Sequence, residues 1–352
     1  GGPALSRPPA TIAAPDPRGA LDPHQPIDIS GSALRASVTP WGGYLTRLRV
    51  ANGRDLVLAH GHPEGRELDD AHLGCIVGRN AGRIGGGRFE LDGWPHQLPC
   101  NARGAHLHGG LTGFGARIWE VLEAGSRHLV LGLDSPDGHE NYPGQLEVRA
   151  RISIEGESTL RIVFDARTSR PTLCNLTWHP YFNLAGHAGG HIGAHRIRIE
   201  ADHWVPLRND FCPTGEILPV DDTPFDLRTP RRMNTGMVAG HAQTRLVEGF
   251  DHYFPIAGAG LRRMAFVEAP DARVTMEVWS TQAGVQFYTG NSLHLPRHGK
   301  HDERYGRHDG FCLEPQGWPD ASNHRAFPGN ELRPGEHYQR TIEYRFAVRG
   351  HA

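Results

Sequence analysis

The sequence predicts an all-β fold, a large antiparallel β-sandwich, on three observations. Apolar and polar residues alternate with period two in several segments, one pair of turn residues marks a tight hairpin, and 45 glycines and 27 prolines punctuate 352 residues that hold no long amphipathic helix. The clearest alternation is Leu146, Val148, Ala150, Ile152 and Ile154, interleaved with Glu147, Arg149, Arg151 and Ser153, a strand with one buried and one wet face. After GluGlyGluSer, the residues Leu160, Ile162, Phe164 and Ala166 repeat the pattern, so the two segments read as a hairpin. Similar strands are expected at 195–200, 273–280 and 340–348. Asp92 and Gly93 stand between PheGluLeu and TrpProHisGlnLeu, and this pair suits a type I′ turn because both central residues take positive φ. No helical pattern exceeds about ten residues and strands do not alternate with helices, which argues against a nucleotide-binding α/β sheet.

Length alone suggests two domains at about 150 residues each. No internal repeat and no break in composition follow residue 30, so residues 31–352 are expected to form one unit. Residues 1–30 are expected to be a proline-rich extension outside the core, with seven prolines in the first 28 positions and little apolar content.

With 37 basic against 39 acidic residues and a net charge of −2, the chain lacks the electrostatic basis for a nucleic-acid partner. No stretch reaches the ~18 apolar residues of a membrane-spanning helix, and the N-terminal segment lacks a signal-peptide core, so no membrane partner is expected. Five cysteines, Cys75, Cys100, Cys174, Cys212 and Cys312, include no CxxC pair, which speaks against a disulfide framework or a structural zinc site. That composition points to a reduced, cytoplasmic setting, although a chain that starts GlyGlyPro leaves a removed leader open. Twenty-three histidines make close histidine pairs common by chance, so their spacing alone carries little weight.

Residues of catalytic type gather in six segments rich in glycine, asparagine and aromatics, the composition of loops at the rim of a sandwich. In GlyArgAsnAlaGlyArgIleGlyGlyGly (78–87) no Lys-Ser/Thr follows the glycines, so this is not a phosphate loop, and Arg83 is either a salt-bridge partner or a fork for hydroxyls or carboxylates. In GlyAlaHisLeuHisGlyGly (104–110) strand alternation would place His106 and His108 on one side. That geometry permits shared metal ligation, but the carboxylate of a cupin-type site is missing. His179 lies among aromatics and amides in AsnLeuThrTrpHisProTyrPheAsnLeuAlaGly (175–186), either as a structural hydrogen-bonding residue or as a tuned proton carrier. Asp251, in GlyPheAspHisTyrPhe, needs partners if buried, or else forms a turn. Gln286 belongs to GlyValGlnPheTyrThrGlyAsn (284–291). Glu314 follows PheCysLeu and precedes Pro315, so its carboxyl is either paired or poised for proton transfer.

Taken in order, these segments resemble the aldose 1-epimerase family, the galactose mutarotases, over roughly residues 33–348. The blocks that carry the likeness are GlyArgAsnAlaGlyArgIle, LeuHisGlyGly, ThrTrpHisProTyrPheAsnLeuAlaGly, ProThrGlyGluIleLeuProVal (213–220), GlyPheAspHis, GlnPheTyrThrGlyAsn and CysLeuGluProGlnGlyTrpProAspAla. The resemblance implies a galactose mutarotase-like supersandwich with an open sugar-binding cleft that interconverts the α and β anomers of a free monosaccharide without a cofactor; no metal is expected, and the chain is expected to act as a monomer or homodimer. By position it implies Glu314 as catalytic base and His179 as catalytic acid, with Arg83, His108, Asp251 and Gln286 binding the sugar. The chemistry of these residue types agrees. Opening a pyranose requires the anomeric hydroxyl to lose a proton while the ring oxygen gains one, a task for one base and one acid facing the sugar from different sides.

Two residues depart from the common family pattern: Gly82 stands where many members carry Asn before the arginine, and Trp178 where many carry Asn before the histidine. An amide lost from the cleft and an indole added to it would shift the preferred sugar. Four other readings compete. A hexose-6-phosphate mutarotase would use Arg79, Arg297 and Lys300 at the cleft mouth, and a glycosidase would pair Asp251 with Glu314. A sugar-binding protein of the same fold would lack turnover, and a metal-dependent enzyme would use His106 and His108.

Overall fold

The computed structural model describes residues 21–238 and 240–350. Its largest element is a nine-stranded sheet in which Tyr338–Val348 lies near the centre, flanked by Thr159–Thr168 and Val274–Ser280. All ladders of this sheet are antiparallel. Leu146–Glu155 and Thr159–Thr168 form the expected hairpin, with Ile152 opposite Ile162 and Ala150 opposite Phe164. The other expected strands occur at Arg196–Ile199, Val274–Ser280 and Tyr338–Val348. Arg88–Leu91 and Trp94–Gln97 pair across Asp92 (φ 54°) and Gly93 (φ 79°), both in the left-handed region that a type I′ turn requires.

Alternation decides what is buried. Leu146, Val148, Ala150 and Ile152 join Leu160, Ile162, Phe164, Ile342 and Tyr344 in one hydrophobic cluster, while the intervening arginines and glutamates remain outside it. Each of these large side chains contributes about 1.5–3 kcal/mol by leaving water. Two three-stranded sheets feed the same cluster: Ile27–Ser30, Leu34–Val38 and Leu45–Val50 through Ile29, Leu34 and Leu48, and Asp251–Pro255, Gly284–Tyr288 and Cys312–Gln316 through Phe254, Phe287 and Leu313. The core thus lies between sheets, as in a sandwich.

Among the described residues, strand pairing begins at Ile27, inside the segment expected to stand apart as an extension. Ile27 and Ile29 alternate with Asp28 and Ser30 over only four residues, too short a run to stand out beside the prolines. Residues 1–20 of that segment lie outside the described residues.

Candidate active site

The site is built on one face of the three-stranded sheet Asp251–Pro255, Gly284–Tyr288 and Cys312–Gln316. Pairing sets Asp251 opposite Tyr288, Tyr253 opposite Gln286, and Gln286 opposite Glu314. Residues directly opposite share a face, and so do residues two apart on a strand. Asp251, Tyr253, Gln286, Tyr288, Glu314 and Gln316 therefore all point one way, and all six line a cavity of about 640 Å³, within the roughly 300–1,000 Å³ of small-molecule sites. The opposite face, with Phe254, Val285, Phe287 and Leu313, enters the core. The same pleat that buries the apolar residues aims the polar ones into the cavity.

His179 arrives from the other wall. It follows the short strand Thr177–Trp178, which pairs with Ile76–Val77, and its ring stacks on Tyr181 with centroids 5.2 Å apart. His179 Nε2 lies 3.2 Å from Glu314 Oε1, and both side chains are almost fully buried at 5 % and 2 % exposure. His108 comes one residue beyond the strand Ala105–Leu107, in a left-handed conformation (φ 51°). The Gly82 N–H donates to its Nδ1 at 3.1 Å, which leaves Nε2 to carry the ring proton and to donate into the cavity. The His108 ring meets that of His179 edge-on at 5.2 Å. On the sheet side, Gln286 Nε2 donates to Asp251 Oδ1 at 3.0 Å. Arg83 lies with its guanidinium carbon 5.5 Å from the centroid of the Phe211 ring, and its Nη1 has no hydrogen-bond partner among the described residues.

Burial governs the protonation states here. It raises the Glu314 carboxyl well above its ordinary value, with the Asp251 carboxylate adding to the effect. It pushes the His179 imidazole down to about 3, with His72 as the next contribution. His108 is likewise held well below its usual value by burial and by His72 and His179. Asp251 is raised by burial, and Arg83 and the Gln286 amide oppose that shift. Both members of the Glu314–His179 pair thus resist charge: the carboxyl keeps its proton beside a neutral imidazole, and Glu314 Oε1 has no hydrogen-bond partner among the described residues.

All six residues proposed from the sequence line this cavity. Three expectations about neighbouring residues are corrected. His106 does not share a face with His108: its Nδ1 contacts Pro99 O at 2.7 Å and its Nε2 contacts Tyr142 Oη at 2.8 Å, in the interior. The left-handed turn at His108 interrupts the alternation that would have aligned the two. The donor set that does converge is His108, His179 and Glu314, whose ligand atoms lie within 4.8 Å of one another. Closing them around zinc at bonds of ~2.0–2.3 Å would draw all three inward.

Trp178 offers no surface to a sugar. It is fully buried, its Nε1 donates to Gly43 O at 2.9 Å, and its ring lies beside Tyr344 in the core. Adjacent residues on a strand face opposite ways, so if His179 enters the cavity, Trp178 must leave it. The three cations considered for a phosphate are also elsewhere, since none lines the cavity. Arg79 is buried and donates to Ser135, Pro136, Pro143 and Thr172. Arg297 pairs with Glu64 at 3.4 Å and Lys300 with Asp55 at 2.8 Å.

Sequence reasoning passed over several lining residues, among them His72, Arg103, Phe211, Tyr288 and Gln316. Tyr288 and Gln316 were accessible by counting two places on from Gln286 and Glu314. His72 sits at φ 55° in a loop and has no such signal.

Comparison with known proteins gives a consistent result. The sequence model of the family described as aldose 1-epimerase matches residues 27–345. The galactose mutarotase of Homo sapiens is 40% identical over 329 residues, covering 92% of this chain and 94% of that protein. The aldose 1-epimerase of Escherichia coli K12 is 31% identical over 334 residues, covering 92% and 95%. Among solved structures, the GalM/aldose epimerase homologue from C. elegans superposes with a TM-score of 0.85 at 28% identity, covering 92% of this chain and 99% of that one. The galactose 1-epimerase from Lactobacillus acidophilus gives 0.80 at 27% identity, covering 92% and 93%. With a cavity whose walls carry the matching blocks, this chain belongs to the aldose 1-epimerase family.

Proposed function

We propose that the protein interconverts the α and β anomers of a free monosaccharide, and that Glu314 and His179 transfer the protons. The observation that carries this reading is the 3.2 Å contact between the two buried groups in a sugar-sized cavity. The two oxygens that lose and gain protons in mutarotation are bonded to one carbon, so base and acid must act on neighbouring atoms, and groups 3.2 Å apart can do so.

Glu314 removes the proton from the C1 hydroxyl, the C1–O5 bond breaks as the C1 carbonyl forms, and His179 delivers a proton to O5. Rotation about C1–C2 turns the other carbonyl face toward O5, and the steps run in reverse to give the second anomer. The single proton of this pair supports the cycle. Its shift from the Glu314 carboxyl to His179 Nε2 produces a carboxylate base and an imidazolium acid together, with no change in net charge. His108 Nε2–H, Arg83, Asp251 and Gln286 hold the hydroxyls, and the Gln286 amide keeps Asp251 in place.

The experiment is direct: freshly dissolved α-glucose and α-galactose are followed by polarimetry or proton NMR, and the protein accelerates their approach to equilibrium. Failure to accelerate any of a panel of aldoses would leave a sugar-binding protein without turnover. A free sugar is favoured over a phosphorylated one, because the cavity lining carries the carboxyls of Asp70, Glu248 and Asp251 as well as the arginines Arg83, Arg103 and Arg245, and so presents no excess of cations to a phosphate. Turnover of glucose is expected to exceed that of glucose-6-phosphate, and the reverse order would favour the phosphorylated class.

The pH profile tests this protonation scheme. An independent glutamate and histidine would give activity only between their ordinary values of about 4.3 and 6.5. The buried pair widens this window at both ends. On the acid side activity is lost only as the depressed imidazole takes a second proton, and on the alkaline side only as the raised carboxyl loses the single one. kcat/KM is therefore expected to stay level through pH 6.5, with its alkaline limb above that value. An alkaline limb centred at 6.5 would mean that the two groups titrate separately.

A further inference from the structure

Gln316 is 1 % exposed, and neither its Nε2 nor its Oε1 has a hydrogen-bond partner among the described residues, yet the residue lines the cavity. Native interiors rarely leave a buried primary amide unpaired, since losing its hydrogen bonds to water goes uncompensated. Its orientation is fixed by the fold: Gln316 lies two residues beyond Glu314 on the strand Cys312–Gln316, with the Tyr253 hydroxyl donating to its backbone carbonyl at 3.1 Å. Its side chain therefore leaves the sheet on the Glu314 side, about 6.8 Å farther along the strand.

Gly82 lies beside this amide in the cavity lining. A Cβ at this position would lie 3.3 Å from Gln316 Nε2 and 3.3 Å from Pro319 Cβ, and the backbone there has φ +78°. Because residue 82 has no side chain, the space in front of the amide stays open to the cavity that Gly82 itself lines.

We infer that Gln316, reached across Gly82, is a sugar-contacting residue that recognises a hydroxyl remote from the anomeric carbon and so helps to set which aldoses are accepted. The inference rests on the mutarotase reading. An amide that offers one donor and one acceptor group complements a hydroxyl, which is both. With Glu314 at the C1 hydroxyl, the offset along the strand reaches across the ring rather than to the adjacent carbon. The hydroxyl addressed is that of C3 or C4.

The test measures KM and kcat for glucose and for its 2-deoxy, 3-deoxy and 4-deoxy analogues, together with sugar affinity by calorimetry, in wild type, Gln316→Leu and Gly82→Asn. Asparagine tolerates positive φ, and at residue 82 its side chain would stand against the Gln316 amide. Both variants are expected to raise KM for glucose roughly tenfold, the value of one good hydrogen bond, with kcat changed less than twofold. The loss should vanish with the 3-deoxy or the 4-deoxy sugar and persist with the 2-deoxy sugar. Equal losses with every sugar, or no loss in either variant, would overturn the role of Gln316. Wild-type protein that binds glucose without accelerating anomer exchange would overturn the mutarotase reading instead, and the calorimetric comparison would still decide whether the amide contacts the sugar.

Discussion

Glu314→Gln is expected to slow anomer exchange by ~10²–10⁴-fold, the usual contribution of a positioned acid–base group, while leaving the fold intact. The amide has the shape of the carboxyl and fills the same space beside His179, but it cannot take the C1 proton. The same substitution should not destabilise the protein. Burial raises the Glu314 carboxyl, so the folded state binds that proton more tightly than the unfolded chain does. As pH rises from the ordinary glutamate value of about 4.3 toward the raised one, the unfolded chain releases the proton first and wild type loses stability. The glutamine variant has no such loss. Its melting temperature is expected to equal that of wild type below this window and to exceed it above. Polarimetry and thermal melts at several pH values check both halves, and a variant with wild-type turnover would remove Glu314 from the mechanism.

Trp178→Ala should have the largest effect on stability, about 3–5 kcal/mol by urea unfolding, as expected when a fully buried indole leaves a cavity. The loss includes the hydrogen bond to Gly43 O, and Trp178→Phe, which keeps most of the ring, isolates that part at about 1–3 kcal/mol. Because the ring lies in the core behind His179, the phenylalanine variant is expected to keep the wild-type KM once folded. A raised KM with unchanged stability would instead place this ring against the sugar.

These two residues also show what could be read without coordinates. The pattern ValGlnPheTyr and the run LeuGluProGln alternate with period two, so the split between core and cavity faces was present in the letters of Gln286, Tyr288, Glu314 and Gln316. The pairing of Asp251, Gln286 and Glu314 was not, because it joins segments that are distant along the chain and unites residues whose local surroundings say nothing of one another. Trp178 misleads when compared position by position with relatives: the comparison records a changed letter but not the direction in which the side chain leaves the strand. His108 fails for the opposite reason, since one left-handed residue resets the alternation that His106 obeys. Arg79 looked like a surface cation because arginine usually is one, whereas here carbonyls and hydroxyls surround it.

The strands at 284–288 and 312–316 put odd and even positions to different uses, and this matters for anyone who wishes to alter the enzyme. Randomising 286, 288 and 316 together samples new sugar preferences on a scaffold whose thermal robustness is held by 285, 287 and 313. A library shifted by a single codon would spend its diversity on misfolded proteins.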